Sequence, residues 1–238
     1  MDIKSKLYIL YEKAVRCIFP KHCPVCNKII PLNEEYCSCS RQDSRRIGDN
    51  YCHHCAREIY NCTCESRNTV ILPESASVYV YGGKVRADIL DLKFNNEKHL
   101  AEKLGSEMAE RCAVVYSDID FDIVTFVPMT KEAYSERGYN QSQLLAEKVG
   151  ELLFVPVEDL LVKTRQTRVQ HELGGNDRLE NVKNSVRLKD DILIKGKNIL
   201  ICDDVKTTGA TLNQCVQALE KGCADKVCCI TAAISDFS

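Results

Sequence analysis

The chain has 238 residues, 45% of them hydrophobic, enough to fill one large core or two smaller ones. Its formal net charge of -2 excludes a global basic field for nucleic acid, and no apolar run reaches the length of a membrane span. Of the 15 cysteines, eight fall in close pairs between Cys23 and Cys64; the rest are scattered in mostly apolar surroundings, as buried small hydrophobes of a reducing cytoplasm would be.

Residues 1–20 read as one helix. Ile3, Leu7, Leu10, Tyr11, Ala14, Val15, Ile18 and Phe19 fall on one helical face, and interrupting charges exclude a signal peptide. The expectation is a helix docked on the rest of the protein. A membrane-surface helix is the alternative, on a thin basic face of Lys4, Lys6 and Lys13.

Residues 21–68 form the cysteine-rich segment: Cys23 and Cys26, Cys37 and Cys39, Cys52 and Cys55, Cys62 and Cys64. Two close pairs supply the four soft ligands of a tetrahedral zinc. A segment this short buries too little apolar surface to fold alone, and a structural zinc contributes roughly 10–16 kcal/mol in small peptides. Two structural zinc sites are therefore expected. Sequential pairing (23/26/37/39 and 52/55/62/64) is preferred, with a cross-braced pairing open. His53 and His54, inside a knuckle turn, are expected to be spectators. Arg41, Arg45 and Arg46 lie between the sites; they either touch nucleic acid or offset the charge of about -2 on each thiolate site.

Residues 69–238 change character. Alternating Ala76, Val78 and Val80 predict a strand over Thr69 to Tyr81, followed by a turn at Gly82–Gly83. Helices are predicted over Val85 to Phe94 and His99 to Tyr116, and a buried strand over Phe121 to Pro128. The segment after that strand, with Met129, Thr130, Lys131, Arg137, Gly138, Asn140 and Gln141, offers donors and backbone access to an anion; the alternative is an ordinary strand–helix connection. A helix follows Asn140, then a weak strand over Val155 to Leu161. The polar stretch Lys163 to Arg187 is long enough to be a functional lid or a plain loop.

Asn198 to Thr211 is the most informative stretch. Asn198 to Cys202 reads as a buried parallel strand. Asp203 and Asp204 follow at its end, then Val205, Lys206, Thr207, Thr208 and Gly209 as a turn, and Ala210 and Thr211 opening a helix. Loop N–H groups and a helix N-terminus favour a phosphate. The carboxylates would repel it, so they are expected to face the vicinal hydroxyls of a ribose. Lys226 to Ile234 reads as the last strand. Strands alternating with helices predict a parallel α/β sheet with the ligand at the carboxyl ends of its strands.

The order strand, Asp-Asp, turn, Thr-Thr-Gly, helix resembles the phosphoribosyl-pyrophosphate (PRPP) motif of type I phosphoribosyltransferases; Lys206 departs from it, where an apolar or small residue is usual. RGYNQSQLLA at Arg137 to Ala146, Asp91 to Phe94, and the polar stretch with Gln170, Arg178, Asn181 and Val182 are similar to elements of the competence protein F (ComF) family, as is a zinc module ahead of the transferase domain. The resemblance implies a type I phosphoribosyltransferase-like sheet flanked by helices behind a double zinc ribbon. It implies Mg²⁺-dependent binding of PRPP, with Asp203 and Asp204 at the ribose, Val205 to Thr211 at the 5-phosphate, Arg137 and its loop at the pyrophosphate, and Gln170, Arg178 and Asn181 on a lid. It also implies transfer to a nitrogen acceptor, in a setting of single-stranded DNA uptake beside a competence helicase. The alternative is a non-catalytic module that binds PRPP, a nucleotide or single-stranded DNA.

Overall fold

The computed structural model describes residues 29, 44–65, 70–163 and 185–235. The expected N-terminal helix, Cys23, Cys26, Cys37, Cys39, Arg41, and the lid residues Gln170, Arg178 and Asn181 lie outside them.

A four-stranded parallel sheet organises the chain. In sequence order its strands are β1 (Ser75–Val80), β2 (Ile123–Phe126), β5 (Asn198–Lys206) and β6 (Lys226–Ile234). In space the order is β1-β6-β5-β2, every neighbouring pair parallel. Helices α1 (Gly83–Phe94) and α2 (His99–Val115) join β1 to β2; α3 (Lys131–Arg137) and α4 (Gln141–Leu153) follow β2. Helix α5 (Ala210–Lys221) joins β5 to β6, and a short antiparallel pair, β3 (Leu161–Lys163) and β4 (Val186–Leu188), precedes β5.

The apolar runs are continuous because both faces of the sheet are covered. Side chains alternate along β5. Leu200 and Cys202 join the core shared with α1, α2 and α4, whereas Ile199 and Ile201 join the core shared with α5 and the β3–β4 pair. Cys112, Cys202, Cys215, Cys228 and Cys229 are buried in these cores; Cys223 is exposed.

Three expectations need correction. The strand at Thr69 to Tyr81 is shorter, because its amino-terminal part is drawn into contacts with the cysteine segment and the β5 turn. Residues 155–161 do not form a sheet strand. Val157 makes a single bridge to Val124, and the Leu160 N–H then donates to the Glu158 carbonyl at 3.1 Å, a local turn that ends the pairing before β3. The strand containing the acidic pair runs on to Lys206, so Asp203, Asp204, Val205 and Lys206 are all strand residues, paired with β6 as far as Lys206 and Ile234. The turn is confined to Thr207, Thr208 and Gly209.

The cysteine segment is not a separate bead. Ile47 donates its N–H to the Val78 carbonyl at 2.8 Å, and Val80 donates to the Arg45 carbonyl at 2.8 Å, so this segment lies along the free edge of β1. Arg46 bridges to Glu107 and lies over the Tyr79 ring, and Arg45 reaches Glu58. Both guanidiniums pair with carboxylates while remaining about half exposed.

Candidate functional site

The carboxyl ends of β2 and β5 bring three segments together. From β5 come Asp203 and Asp204. Asp203 Oδ1 accepts from Ser142 Oγ at 2.8 Å and from the Asp204 N–H at 2.9 Å. Asp204 Oδ1 accepts from Lys93 Nζ at 2.7 Å. The other oxygen of Asp204, Oδ2, is buried and has no hydrogen-bond partner among the described residues. A buried carboxylate oxygen left unpaired costs free energy on the scale of a lost charged hydrogen bond, so this atom is an acceptor held open for a donor.

Burial, then the neighbouring Asp204 charge, pushes Asp203 up to about 7, against the pull of the Ser142 hydroxyl and Lys93. The folded chain thus keeps a proton on Asp203 that the unfolded chain sheds near pH 4. Between those values the native state binds more protons, so this group's contribution to stability declines as pH rises and levels off above about 7. Asp203→Asn removes the slope. Its melting temperature relative to wild type is expected to climb from acidic to mildly alkaline buffer; a constant difference across that range contradicts the assignment.

Beyond Lys206, Thr207 and Thr208 are exposed and Gly209 is buried with φ +84. That left-handed value suits glycine. Gly209 is the N-cap of α5 and brings no side chain there, while Thr208 Oγ1 accepts from the Ala210 N–H at 3.3 Å. The remaining first-turn N–H groups and the exposed Thr207 hydroxyl make an anion-binding corner. Ala210 and Thr211 are half-buried at the first positions of that helix.

Lys206 does not belong to the corner. Its side chain is only 1% exposed and its ammonium donates to the His54 carbonyl at 3.0 Å and Ser75 Oγ at 3.3 Å. Burial pulls its pKa down to about 8. Being a strand residue whose side chain points back under the turn, it faces the cysteine segment, not solvent. Val205 is likewise a half-buried strand residue packed on the core.

The segment after β2 is a short helix, not an open loop. Thr130 caps α3 by accepting from the Ala133 N–H at 3.2 Å, and Gly138 ends it with φ +79. Lys131 is exposed on its first turn and Met129 is half-buried before it. Asn140 is buried and spent: its amide donates to the Val127 carbonyl at 3.0 Å, and its oxygen caps α4 through Ser142 N–H. Gln141 accepts from Arg137, whose guanidinium also lies 5.2 Å from the Phe94 ring centroid. Thus Asn140 and Gln141 hold the segment together, leaving Arg137 and Lys131 as its cations. Arg137, Phe94, Lys93, Asn96, Glu136 and Tyr139 line a cavity of about 270 Å³.

Two residues escaped the sequence reading. Lys93 was visible only as part of a motif, and Ser142 carried no signal of its own. Both act on the acidic pair across long separations in sequence.

The second cysteine group is assembled. The Sγ atoms of Cys52, Cys55, Cys62 and Cys64 all lie within 4.8 Å of one another, with Cys52–Cys64 at 3.6 Å and Cys55–Cys62 at 3.8 Å. Tetrahedral zinc with bonds near 2.3 Å needs sulfur separations of about 3.8 Å, so these four residues fit such an ion. This grouping agrees with sequential pairing for 52/55/62/64. His53 and His54 stand outside this group of four, as expected of spectators to the metal; His54 Nδ1 contacts the Leu72 carbonyl at 2.8 Å and His53 sits 3.4 Å from Glu74, where the knuckle packs on the start of β1.

Comparison with known proteins agrees with this architecture. The phosphoribosyl transferase domain family matches residues 136–235. Competence protein ComFC of Bacillus subtilis (strain 168) is 27% identical over 213 residues, covering 85% of each chain. Competence protein ComFC of Streptococcus pneumoniae is 29% identical over 203 residues, 82% of this chain and 86% of the relative. DNA utilization protein YhgH of Escherichia coli (strain K12) is 34% identical over 99 residues, 41% of this chain and 43% of the relative. Among the described residues, no helix is long and apolar enough to cross a membrane.

Proposed function

We propose that this chain, a member of the ComF family with a phosphoribosyltransferase-like fold, binds PRPP with Mg²⁺ and transfers its phosphoribosyl group to a nitrogen acceptor. The observation that carries the reading is Asp204 Oδ2, a buried acceptor without a donor among the described residues, beside a second carboxylate and close in sequence to the start of α5. A ribose diol supplies the missing donor, and its 5-phosphate reaches Thr207 to Thr211. Asp203 and Asp204 then stand beneath the sugar, where positive charge grows as the bond from C1 to pyrophosphate breaks and the bond from C1 to nitrogen forms. Lys93 fixes the Asp204 carboxylate in place. Ser142 orients Asp203.

Hard oxygen donors suit Mg²⁺, which would ride mainly on substrate oxygens and offset the charge of the leaving pyrophosphate. Arg137 and Lys131 are the protein cations on that side. Gln170, Arg178 and Asn181 remain proposed lid residues. Zinc on Cys52, Cys55, Cys62 and Cys64, with a second ion on Cys23, Cys26, Cys37 and Cys39, remains the proposed structural metal content. The names of the relatives support a setting of DNA uptake, with single-stranded DNA and a competence helicase as proposed partners.

A second reading, ligand binding without turnover, is favoured by Arg137, which is engaged with Phe94 and Gln141 and not extended toward the anion corner. Pyrophosphate release separates the two. The zinc-loaded chain is incubated with PRPP, Mg²⁺ and a panel of nitrogen nucleophiles, including ammonia and free nucleobases. Acceptor-dependent release supports transfer. Tight PRPP binding with no release above the uncatalysed background selects the second reading.

A further inference from the structure

The cysteine cluster and the anion corner are joined through the interior by two struts. The first is Lys206. Its ammonium donates to the carbonyl of His54, the residue inside the knuckle between Cys52 and Cys55. Its stem runs under the turn: a Cβ added at Gly209 would lie 3.1 Å from Lys206 Cε. One side chain therefore touches the metal-holding knuckle at its tip and the turn before α5 along its stem. The second strut is residues 70–72. His54 Nδ1 contacts the Leu72 carbonyl at 2.8 Å, and the Val70 N–H donates to the Thr208 carbonyl at 3.1 Å. Both struts start at His54 and both end on the turn at 207–209.

An ordinary strand-to-helix turn needs no such support. A lysine at the end of a strand normally sends its charge to water. Here its burial is compensated by a carbonyl whose position depends on the knuckle, and the knuckle's shape depends on the four thiolates being held together. We infer that Lys206 is a positioning residue through which the metal-held knuckle at Cys52–Cys55 sets the shape of the phosphate-binding turn at Thr207–Gly209. The inference rests on the proposed phosphate site, and it makes the cysteine cluster a determinant of ligand affinity as well as of stability. Losing the metal frees the His54 carbonyl. The ammonium then keeps only Ser75 Oγ, at 3.3 Å, as an acceptor, and the stem beneath the turn is no longer held at its tip by the knuckle.

The test uses the full, zinc-loaded chain and two substitutions, Lys206→Met, which keeps the stem without the ammonium, and Lys206→Arg, which keeps a donor. Ribose 5-phosphate probes the turn and the acidic pair; Mg²⁺-pyrophosphate probes the other end of the site. Lys206→Met is expected to weaken ribose 5-phosphate roughly tenfold, about 1.4 kcal/mol for re-forming the loosened turn around the phosphate, with pyrophosphate affinity and zinc content unchanged. Lys206→Arg is expected to recover part of the loss. Amide hydrogen exchange at 207–211 is expected to quicken in Lys206→Met, and equally in wild type stripped by a chelator, while β6 stays protected.

Unchanged ribose 5-phosphate affinity together with unchanged exchange at 207–211 overturns the inference. So does an equal loss for both probes, which marks general damage. If wild type binds neither probe, the proposed function fails instead, and the exchange comparison alone decides the coupling: faster exchange supports it and unaltered exchange overturns it. If Lys206→Met does not fold, chelation of wild type and Lys206→Arg carry the same exchange readout.

Discussion

Asp204→Asn is expected to weaken PRPP binding by at least about tenfold while leaving the chain folded. The substitution keeps the size of the side chain and removes its charge. Two interactions go with it. Lys93 Nζ, 2.7 Å from Oδ1, loses its ion pair in a partly buried setting. The open Oδ2 is replaced, in one of the two amide orientations, by a donor that faces the ribose hydroxyl with like polarity. The bond from Oδ2 to the ribose is a charged hydrogen bond worth about 1.5–3 kcal/mol, so its loss lowers affinity by roughly 10- to 150-fold, and the loss of the Lys93 pair loosens the side chain that makes it. Asp203→Asn is expected to cost less, because Asp203 is already half-protonated near neutrality and an amide oxygen can still accept from Ser142. Isothermal titration of both variants at neutral pH, close to the value of about 7 to which Asp203 is raised, checks the ranking. An Asp204→Asn chain that binds as wild type does removes the acidic pair from the site.

The second large effect concerns the cysteine cluster. Cys55→Ser removes a fully buried ligand from the group of four and is expected to release one metal equivalent per chain. The damage spreads because the segment is tied to the sheet. Arg57 donates to the Ser235 carbonyl at 2.9 Å just past β6, and residues 45–47 run along β1. A three-cysteine remnant leaves thiolates crowded without their cation, so the loss exceeds that of an ordinary core substitution. Destabilisation of at least about 3 kcal/mol is expected, which for a chain of this size lowers the melting temperature by roughly 6–12 °C. Metal analysis and thermal denaturation are measured on the same sample. Full metal content with an unaltered melting temperature contradicts the role given to these four residues.

What was legible in the chain follows from where its information is local. The buried strands announced themselves because a parallel sheet covered on both faces needs unbroken apolar runs, as in FDIVTF and NILIC. The acidic pair, the Thr-Thr-Gly turn and α5 were legible for a related reason: each is built from adjacent residues. The end of β5 was misread because Lys206 looks like the start of a surface turn. The carbonyl that takes its charge lies 152 residues earlier in the chain, and no local pattern carries that distance. Lys93 and Ser142 were missed on the same ground, 111 and 61 residues from the carboxylates they hold. Asn140 was read as a ligand donor because a cap and a binding group share the same chemistry. Only burial and the N–H of Ser142 tell them apart.

The acidic pair and the start of α5 are proposed to form one PRPP site. The most direct test is a calorimetric titration of PRPP into the folded, zinc-loaded wild-type chain, with and without Mg²⁺. The expected result is saturable binding that requires Mg²⁺ and is competed by both ribose 5-phosphate and pyrophosphate. A folded, zinc-loaded chain that takes up no PRPP in the presence of Mg²⁺ contradicts it.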